Sequence, residues 1–440
     1  MSISFFMKRR KNTMSKKKVI VIGCGCRGKI YTDIMKDQFG DDFEVVACAE
    51  PIDERRDLMR DTHAIPENMC FKSWGPLLEL GKIADIALIT TMDRDHYAPA
   101  MAAIAQGYDL LLEKPVAATP EQCREIQRAA EEKGVFVLVC HVLRFTKFYI
   151  ALKNIIDSGE IGKVMNIQAI EGVGDVHQSH SFVRGNWGNS DRSSCMILQK
   201  TCHDMDILAW LIGEKCTEVH SFGSLSYFKR ENAPEGSPER CIEGCPIGDT
   251  CPYNAMKIYV DLKYDCKGWF DTVATQKANP TKEDCIEAMK TTQYGKCVFK
   301  CDNNVVDHQT VNMRFGKDVY VDFAMSAFTR GGRTLKIMGT KGEINARMSG
   351  NHITVFNFDK RTEYKYDVDA NVTSEMLTGG HGGGDNGIIY ALRELMNGRR
   401  GQSVCEIGES CDNHMISFAA EESRLTGKVI DMAEFEARFN

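Results

Sequence analysis

Gly23, Gly25 and Gly28 stand in the spacing G-x-G-x-x-G, directly after the apolar run Val19 to Ile22 and just before a helical pattern that begins at Lys29. Glycines so spaced allow a tight turn, let the backbone approach a phosphate closely and let the next helix pack on the strand, while the helix N-terminus offers N–H donors. Cys26 and Arg27 lie inside that turn and share its position beside a phosphate. A second apolar strand, Phe43 to Ala49, ends at Glu50, 22 residues after Gly28. A carboxylate at that distance accepts hydrogen bonds from the hydroxyls of an adenosine ribose. Together these features point to a nicotinamide dinucleotide. Glu50 favours NAD, since its charge repels a 2′-phosphate, and the nearby Arg55 and Arg56 keep NADP open.

The elements that must position such a turn follow in order. Ala84 to Thr91 reads as a third apolar strand, broken at Met92 to His96, and the helix Tyr97 to Gln106 leads to a fourth strand, Asp109 to Leu112, which ends in Glu113-Lys114-Pro115. The helix Pro120 to Lys133 and the strand Val135 to Cys140 come next, before His141 to Phe145. Alternating strands and helices of this kind build a doubly wound parallel sheet, an α/β architecture that binds ligands beyond the carboxyl ends of its strands. Thr90, Thr91, Lys114 and His141 all occupy strand ends and are therefore pocket candidates.

Length and composition bound the rest. A chain of 440 residues with 43% apolar content has material for two domains. Its net charge of -6 gives no electrostatic support for nucleic-acid binding, and no stretch reaches the 18 uninterrupted apolar residues of a membrane span. Residues 1–15 read as a disordered tail and lack the order of a secretory signal. Eighteen cysteines without such a signal indicate a reducing compartment, and the cytoplasm is the expected location.

The glycine turn, the acid at Glu50, the segment from Thr90-Thr91 to His96, Glu113-Lys114-Pro115 and the pair Arg144-Phe145 resemble the glucose-fructose oxidoreductase / inositol dehydrogenase / rhizopine catabolism family (Gfo/Idh/MocA). The resemblance covers essentially the whole chain and is most specific in its first 150 residues. It implies a nucleotide-binding domain over residues 16–142, with His96 and Glu113 among the cofactor contacts. It also implies an α+β domain over 143–440 with an open, mostly antiparallel sheet, whose exposed face mediates a homodimer or homotetramer. Val164 to Glu171, Glu218 to Tyr227, Asp318 to Thr329 and Arg333 to Gly339 fit as its strands.

Oxidising a secondary alcohol needs a base for the hydroxyl proton while hydride leaves for the nicotinamide, and a lysine beside a cationic ring in a dry cleft suits that task. Lys114 is that candidate. The second is His203, on a helix read from Met196 to Gly213. The family motif resembles Asp-x-x-x-His here, but Gln199 stands in place of the Asp. Lys200 and Asp206, at i−3 and i+3, flank His203, so Lys200 and His203 are expected to line the site and share proton work with Lys114. A polar loop before that helix supplies Arg184, Asn186 and Trp187 as candidate contacts to polyol hydroxyls and C–H faces. In the glycine-rich stretch 378–388, His381 is placed in the pocket and Asp385 as a helix cap. Cys241, Cys245 and Cys251 read either as ordinary reduced thiols or as a structural zinc site needing a fourth ligand, with Cys266, Cys285, Cys297 and Cys301 as possible completers.

The resulting expectation is an NAD(H)-dependent oxidoreductase acting on a carbohydrate-like alcohol. A redox-assisted glycosidase that regenerates its cofactor and a non-catalytic NAD(P)-binding sensor are the alternatives.

Overall fold

The computed structural model describes residues 15–264, 268–372, 377 and 379–439. The tail read over residues 1–15 falls outside these except for its last residue.

The first sheet consists of β1 (Lys17–Ile22), β2 (Phe43–Ala49), β3 (Cys70–Phe71), β4 (Ile86–Ile89), β5 (Asp109–Leu112) and β6 (Val137–Val139). Its order is β3-β2-β1-β4-β5-β6 with every neighbouring pair parallel. Strands covered on both faces carry continuous apolar runs, and Ile86 to Ile89 are all buried accordingly. The direction of winding reverses between β1 and β4, which opens a crevice at their carboxyl ends. β5 and the helix Pro120–Lys133 match the sequence reading residue for residue. Thr119 caps that helix by accepting from the Gln122 N–H, and Gly134 ends it at φ 69°.

The second sheet consists of β7 (Val164–Gly172), β8 (Cys216–Ser224), β9 (His308–Phe315), β10 (Val319–Ser326), β11 (Gly332–Gly339), β12 (Gly342–Arg347), β13 (His352–Asn357), β14 (Thr362–Lys365) and β15 (Ile430–Asp431). They run in the order β14-β13-β12-β11-β7-β10-β9-β8-β15, antiparallel except for the parallel pair β7/β10. Alternation along the strands buries Ile167, Ala169, Val321 and Phe323 and leaves Gln168, Ile170, Tyr320 and Asp322 on the open face.

Three local readings are corrected. The single helix expected from Met196 is two, Met196–Gln199 and Cys202–Ile212, because Thr201 leaves the helical region (φ −108°, ψ 9°). The polar loop before it is instead helical: a turn at Asp175–His177 runs into the wide-turn helix Gln178–Arg184, all of which is buried. The helix that follows the glycine-rich stretch, which its amphipathic pattern places from Ile388 to Asn397, begins earlier, at Gly384, and ends at Met396.

The chain after residue 383 packs back on the nucleotide-binding half. Ile388, Ile389 and Leu392 join Val19, Val21, Tyr31 and Leu138 in one core. In the helix Ile407–Thr426, the Nε2 of His414 accepts from the Val116 N–H at 3.1 Å. An insertion between β8 and β9 has its own small core around Ile258, Tyr259, Phe270 and Met289.

Candidate active site

The glycine turn is shaped by contacts that only glycine permits. Gly23 adopts φ 94°, and a Cβ there would lie 2.7 Å from the Thr90 carbonyl; a Cβ on Gly28 would lie 2.2 Å from the Gly23 carbonyl. Gly25 differs, since only the Arg55 Nη1 comes within 4 Å, at 3.9 Å. This open space, beside first-turn N–H groups that have no intrahelical acceptor, fits a pyrophosphate. Glu50 is buried, with its carboxylate aimed by the N–H groups of Cys24 (2.7 Å) and Ile52 (3.1 Å).

Other expected cofactor contacts shape the loops around that space. Thr90 Oγ1 donates to the Gly23 carbonyl at 2.6 Å and Thr91 Oγ1 to the Asp95 carbonyl at 2.9 Å. The His96 ring lies between the carbonyls of Pro115 (2.6 Å) and Thr91 (3.1 Å). The Arg27 side chain, expected beside a phosphate, is committed to two carboxylates: Nε donates to Glu113 at 2.8 Å and Nη2 to Asp385 at 2.7 Å. Glu113 also accepts from the Tyr31 hydroxyl and the Lys114 N–H, each at 2.8 Å. Burial alone would raise the Glu113 pKa, but Arg27 and Lys114 outweigh it and hold the carboxyl below its usual range.

Asp385 is not the helix cap. Gly383 occupies that position, and the Asp385 carboxylate instead receives Arg27 and the His381 Nδ1, the latter at 3.0 Å. Burial opposes ionisation of Asp385, and hydrogen bonds from His381 and Arg27 overcome it, keeping the carboxyl well below the ordinary range. His381, at φ 51°, remains half exposed.

The catalytic candidates converge where the helix breaks. The Gln199 carbonyl, released by the interruption at Lys200-Thr201, accepts from the Lys114 Nζ at 2.9 Å. Gln199 also spends its side-chain amide on the protein: Nε2 donates to the Trp187 carbonyl (2.9 Å) and Oε1 accepts from the Ser193 hydroxyl (3.2 Å). In place of a carboxylate orienting a histidine, Gln199 fixes the loop. His203 has its Nδ1 buried with no hydrogen-bond partner among the described residues. Burial, followed by the charge of Lys114, pushes its pKa well below the usual value, so its ring is neutral at neutral pH. The Lys200 Nζ pairs with Glu171 at 3.1 Å, and Arg333 bridges Glu171 (3.0 Å) to Asp204 (2.7 and 2.9 Å). Burial lowers the Lys200 pKa, against the opposing charge of Glu171.

Three expectations move away from the substrate position. Asp206 does not support His203: it takes a bidentate pair from Arg144 (2.7 and 2.8 Å) and a third hydrogen bond from Asn413 (2.9 Å), and lies 3.7 Å from the His141 Nδ1. His141 is 1% exposed because the turn Val142–Phe145 draws it inward, and its ring stands behind that of His203 with centroids 6.2 Å apart. Arg184, 2% exposed, points into the insertion, where it donates to the carbonyls of Lys296 (2.7 Å) and Tyr253 (2.6 Å). Its place in a buried helix rather than a loop accounts for this. Asn186 is exposed and accepts from Gln293 at 3.2 Å. Trp187 lies at the cleft with its Nε1 donating to Asp93 at 3.0 Å; Asp93 also accepts from the Ser194 hydroxyl at 2.8 Å.

Sequence reasoning missed Glu171, Arg333, Asp93 and Trp269. Asp93 follows an apolar strand and shares the signal that singled out Lys114, whereas Glu171 lies near the end of the alternating strand β7. Arg333 and Trp269 carry no such signal. Trp269, 45% exposed, stands edge-on to His177 at 5.1 Å, and the His177 pKa is depressed by burial and then by Lys200.

Residues 17–141 match the family model described as "Oxidoreductase family, NAD-binding Rossmann fold", and residues 153–406 match its "C-terminal alpha/beta domain". A putative oxidoreductase of Bacillus subtilis, YteT, is 23% identical over 388 residues, covering 83% of this chain and 86% of that protein. Inositol 2-dehydrogenase of Klebsiella pneumoniae is 30% identical over 136 residues, 31% of this chain and 37% of that protein. Among solved structures, levoglucosan dehydrogenase with NADH and levoglucosan has a TM-score of 0.69 at 16% identity, covering 95% of this chain and 100% of the other. The WlbA dehydrogenase of Bordetella pertussis with NADH and UDP-GlcNAcA has a TM-score of 0.65 at 14% identity, covering 95% and 98%. With both of its halves matched, and with the glycine turn and Lys114 facing one crevice, the chain belongs to the Gfo/Idh/MocA family of NAD(P)-dependent oxidoreductases.

Proposed function

We propose that this enzyme transfers hydride between NAD(H) and a secondary alcohol of a sugar, inositol or related polyol. The observation that carries this reading is the Lys114 Nζ held at 2.9 Å from the Gln199 carbonyl, with a neutral His203 close enough for its charge to be felt. When bound, the nicotinamide accepts or returns the hydride. Lys114 orients the substrate hydroxyl and relays its proton, and the neutral His203 has a lone pair to receive it. Lys200, compensated by Glu171, hydrogen-bonds a neighbouring hydroxyl without adding net charge to the pocket. Trp187, fixed by Asp93, offers an aromatic face to sugar C–H groups. Glu50 and the space over Gly25 favour NAD, and Arg55 beside that space keeps NADP in play. Similar proteins described with levoglucosan, a UDP-sugar acid and inositol support the substrate class.

The same reading places the enzyme in the cytoplasm, where its free thiols stay reduced, and assembles it through the open face bearing Ile170, Tyr320 and Phe222. Among the described residues no helix is long and apolar enough to cross a membrane. The deciding experiment is NAD⁺ reduction against inositols, hexoses, uronates and glycosides. Accumulation of NADH with one of these alcohols is expected. Cleavage of a glycoside with no net NADH would replace the dehydrogenase by the redox-assisted hydrolase.

A further inference from the structure

Cys241, Cys245, Cys251 and Cys297 line a single small hollow in the insertion, with Arg184 on its wall. Three come from one loop, whose backbone turns them toward a common centre. Cys241 opens the 3₁₀ turn Cys241–Glu243, Gly244 reverses the chain at φ 84°, the Cys245 carbonyl accepts from the Gly248 N–H (2.9 Å), and the Cys251 N–H donates to the Ile247 carbonyl (2.9 Å). The fourth comes from far along the chain. An antiparallel bridge between Arg240 and Lys296, extended by the Cys297 N–H to the Glu239 carbonyl at 2.9 Å, sets Cys297 beside Cys241. Cys245, Cys251 and Cys297 have sulfurs without a hydrogen-bond partner among the described residues; Cys241 receives only the Arg184 Nη2 at 3.8 Å.

Arg184 also points to an anionic ligand at this place. It is buried, it donates to two backbone carbonyls and one thiol, and its Nη1 has no partner among the described residues. Among those residues no carboxylate pairs with it, although an isolated buried charge is costly. Its wall of the hollow therefore favours negative charge, which the thiols there supply once deprotonated.

We propose that Cys241, Cys245, Cys251 and Cys297 bind one zinc ion as a closed tetrathiolate site whose charge neutralises Arg184. Four thiol protons leave to solvent and four Zn–S bonds form, with no change of oxidation state, giving a centre of net charge −2 against the guanidinium. Among the described residues no three of these sulfurs lie within 4.8 Å of one another. Zn–S bonds of about 2.3 Å bring tetrahedral ligands to roughly 3.8 Å apart, so binding contracts the loop onto the ion. A closed shell leaves no position for substrate, so the role is structural. The ion fastens the loop to the segment at Cys297 and, through Arg184, steadies the helix that leads into Asn186 and Trp187.

Metal analysis of the full-length protein, purified without added zinc, tests this. One zinc per chain is expected, with Cys297→Ser losing most of it and Cys301→Ser keeping it, since the Cys301 thiol donates to the Cys297 carbonyl at 3.3 Å and does not line the hollow. Cobalt(II) exchanged into the wild-type protein should give the visible bands of a tetrahedral tetrathiolate, a readout that does not depend on any variant folding. The proposal is overturned by a zinc ratio near zero with all four thiols freely alkylated in the native state. It is equally overturned by iron and sulfide in place of zinc, by a cobalt spectrum lacking the tetrathiolate bands, or by a Cys297→Ser protein that retains its zinc.

Discussion

The two ion-pair clusters on either side of the cleft use the same residue types to opposite effect. On the cofactor side, Arg27 joins Glu113 and Asp385, and both carboxyls are held below their ordinary pKa. On the substrate side, Lys200, Glu171, Arg333 and Asp204 form a chain in which burial raises the Asp204 pKa and lowers that of Lys200. The first cluster is locked in its charged form. In the second, burial pushes one acid and the amine toward their neutral forms. We propose that the ion pairs on the cofactor side serve rigidity and that those on the substrate side tune basicity.

The largest expected effect isolates the chemistry from both clusters. Lys114→Met should lower kcat by about 10³-fold, within the usual worth of a positioned proton donor or acceptor, while NAD⁺ affinity by fluorescence titration changes little. A kcat near that of the wild type would remove Lys114 from the proton path. Next comes the contrast itself. Arg27→Met leaves two buried carboxylates without their cation and should cost about 3 kcal/mol of unfolding free energy with kcat at saturation nearly intact. Lys200→Met should instead lower kcat by about 10²-fold and shift its pH profile, with a smaller loss of stability. Denaturant melts and kinetics on the pair decide whether scaffold and chemistry divide in this way, and the reverse pattern would erase the distinction.

A smaller effect concerns the ribose. Glu50→Ala should move the NADP⁺ to NAD⁺ preference by roughly tenfold, about the worth of one charge-assisted hydrogen bond together with relief of its repulsion. Equal loss for both cofactors would show the carboxylate acting only on the Cys24 and Ile52 N–H groups. The smallest is a pH effect on stability. His414 is buried and donates from Nδ1 to the Ser410 carbonyl at 2.7 Å; burial, then His141, lowers its pKa to about 3. The folded state keeps this ring neutral while the unfolded chain protonates it below about 6.5, so its contribution is full above that pH and is lost as pH falls toward 3. Between pH 6.5 and 5.5, His414→Gln should lose about 1 kcal/mol less than the wild type.

The sequence made the nucleotide half legible because a strand, a glycine turn and a helix are contiguous. β5, the helix Pro120–Lys133 and the Gly213 stop (φ 74°) each sit where local patterning placed them. The second cluster resisted such reading. Glu171 on β7 and Arg333 on β11 meet only because β11 pairs with β7, a register fixed by the whole sheet. Around Arg184 the polar sequence suggests a loop, whereas the wide-turn helix that holds it is entirely buried. Asp385 looked like a cap by its place in sequence, but its partner is an arginine 358 residues away. Gln199 was visible as an absent aspartate, while its use as a brace for Trp187 required the broken helix to be seen.

That brace has a mechanical counterpart at Asp93. One buried carboxylate, carried at the end of a strand of the nucleotide half, receives the Trp187 indole and the Ser194 hydroxyl, so the loop between them is tied at both ends to the other half of the cleft. Swinging that loop outward would strip two donors from a charge shielded from water, at a cost of several kcal/mol. On this side the rim of the cleft is a fixed sill, and ligands must pass over it instead of waiting for it to lift.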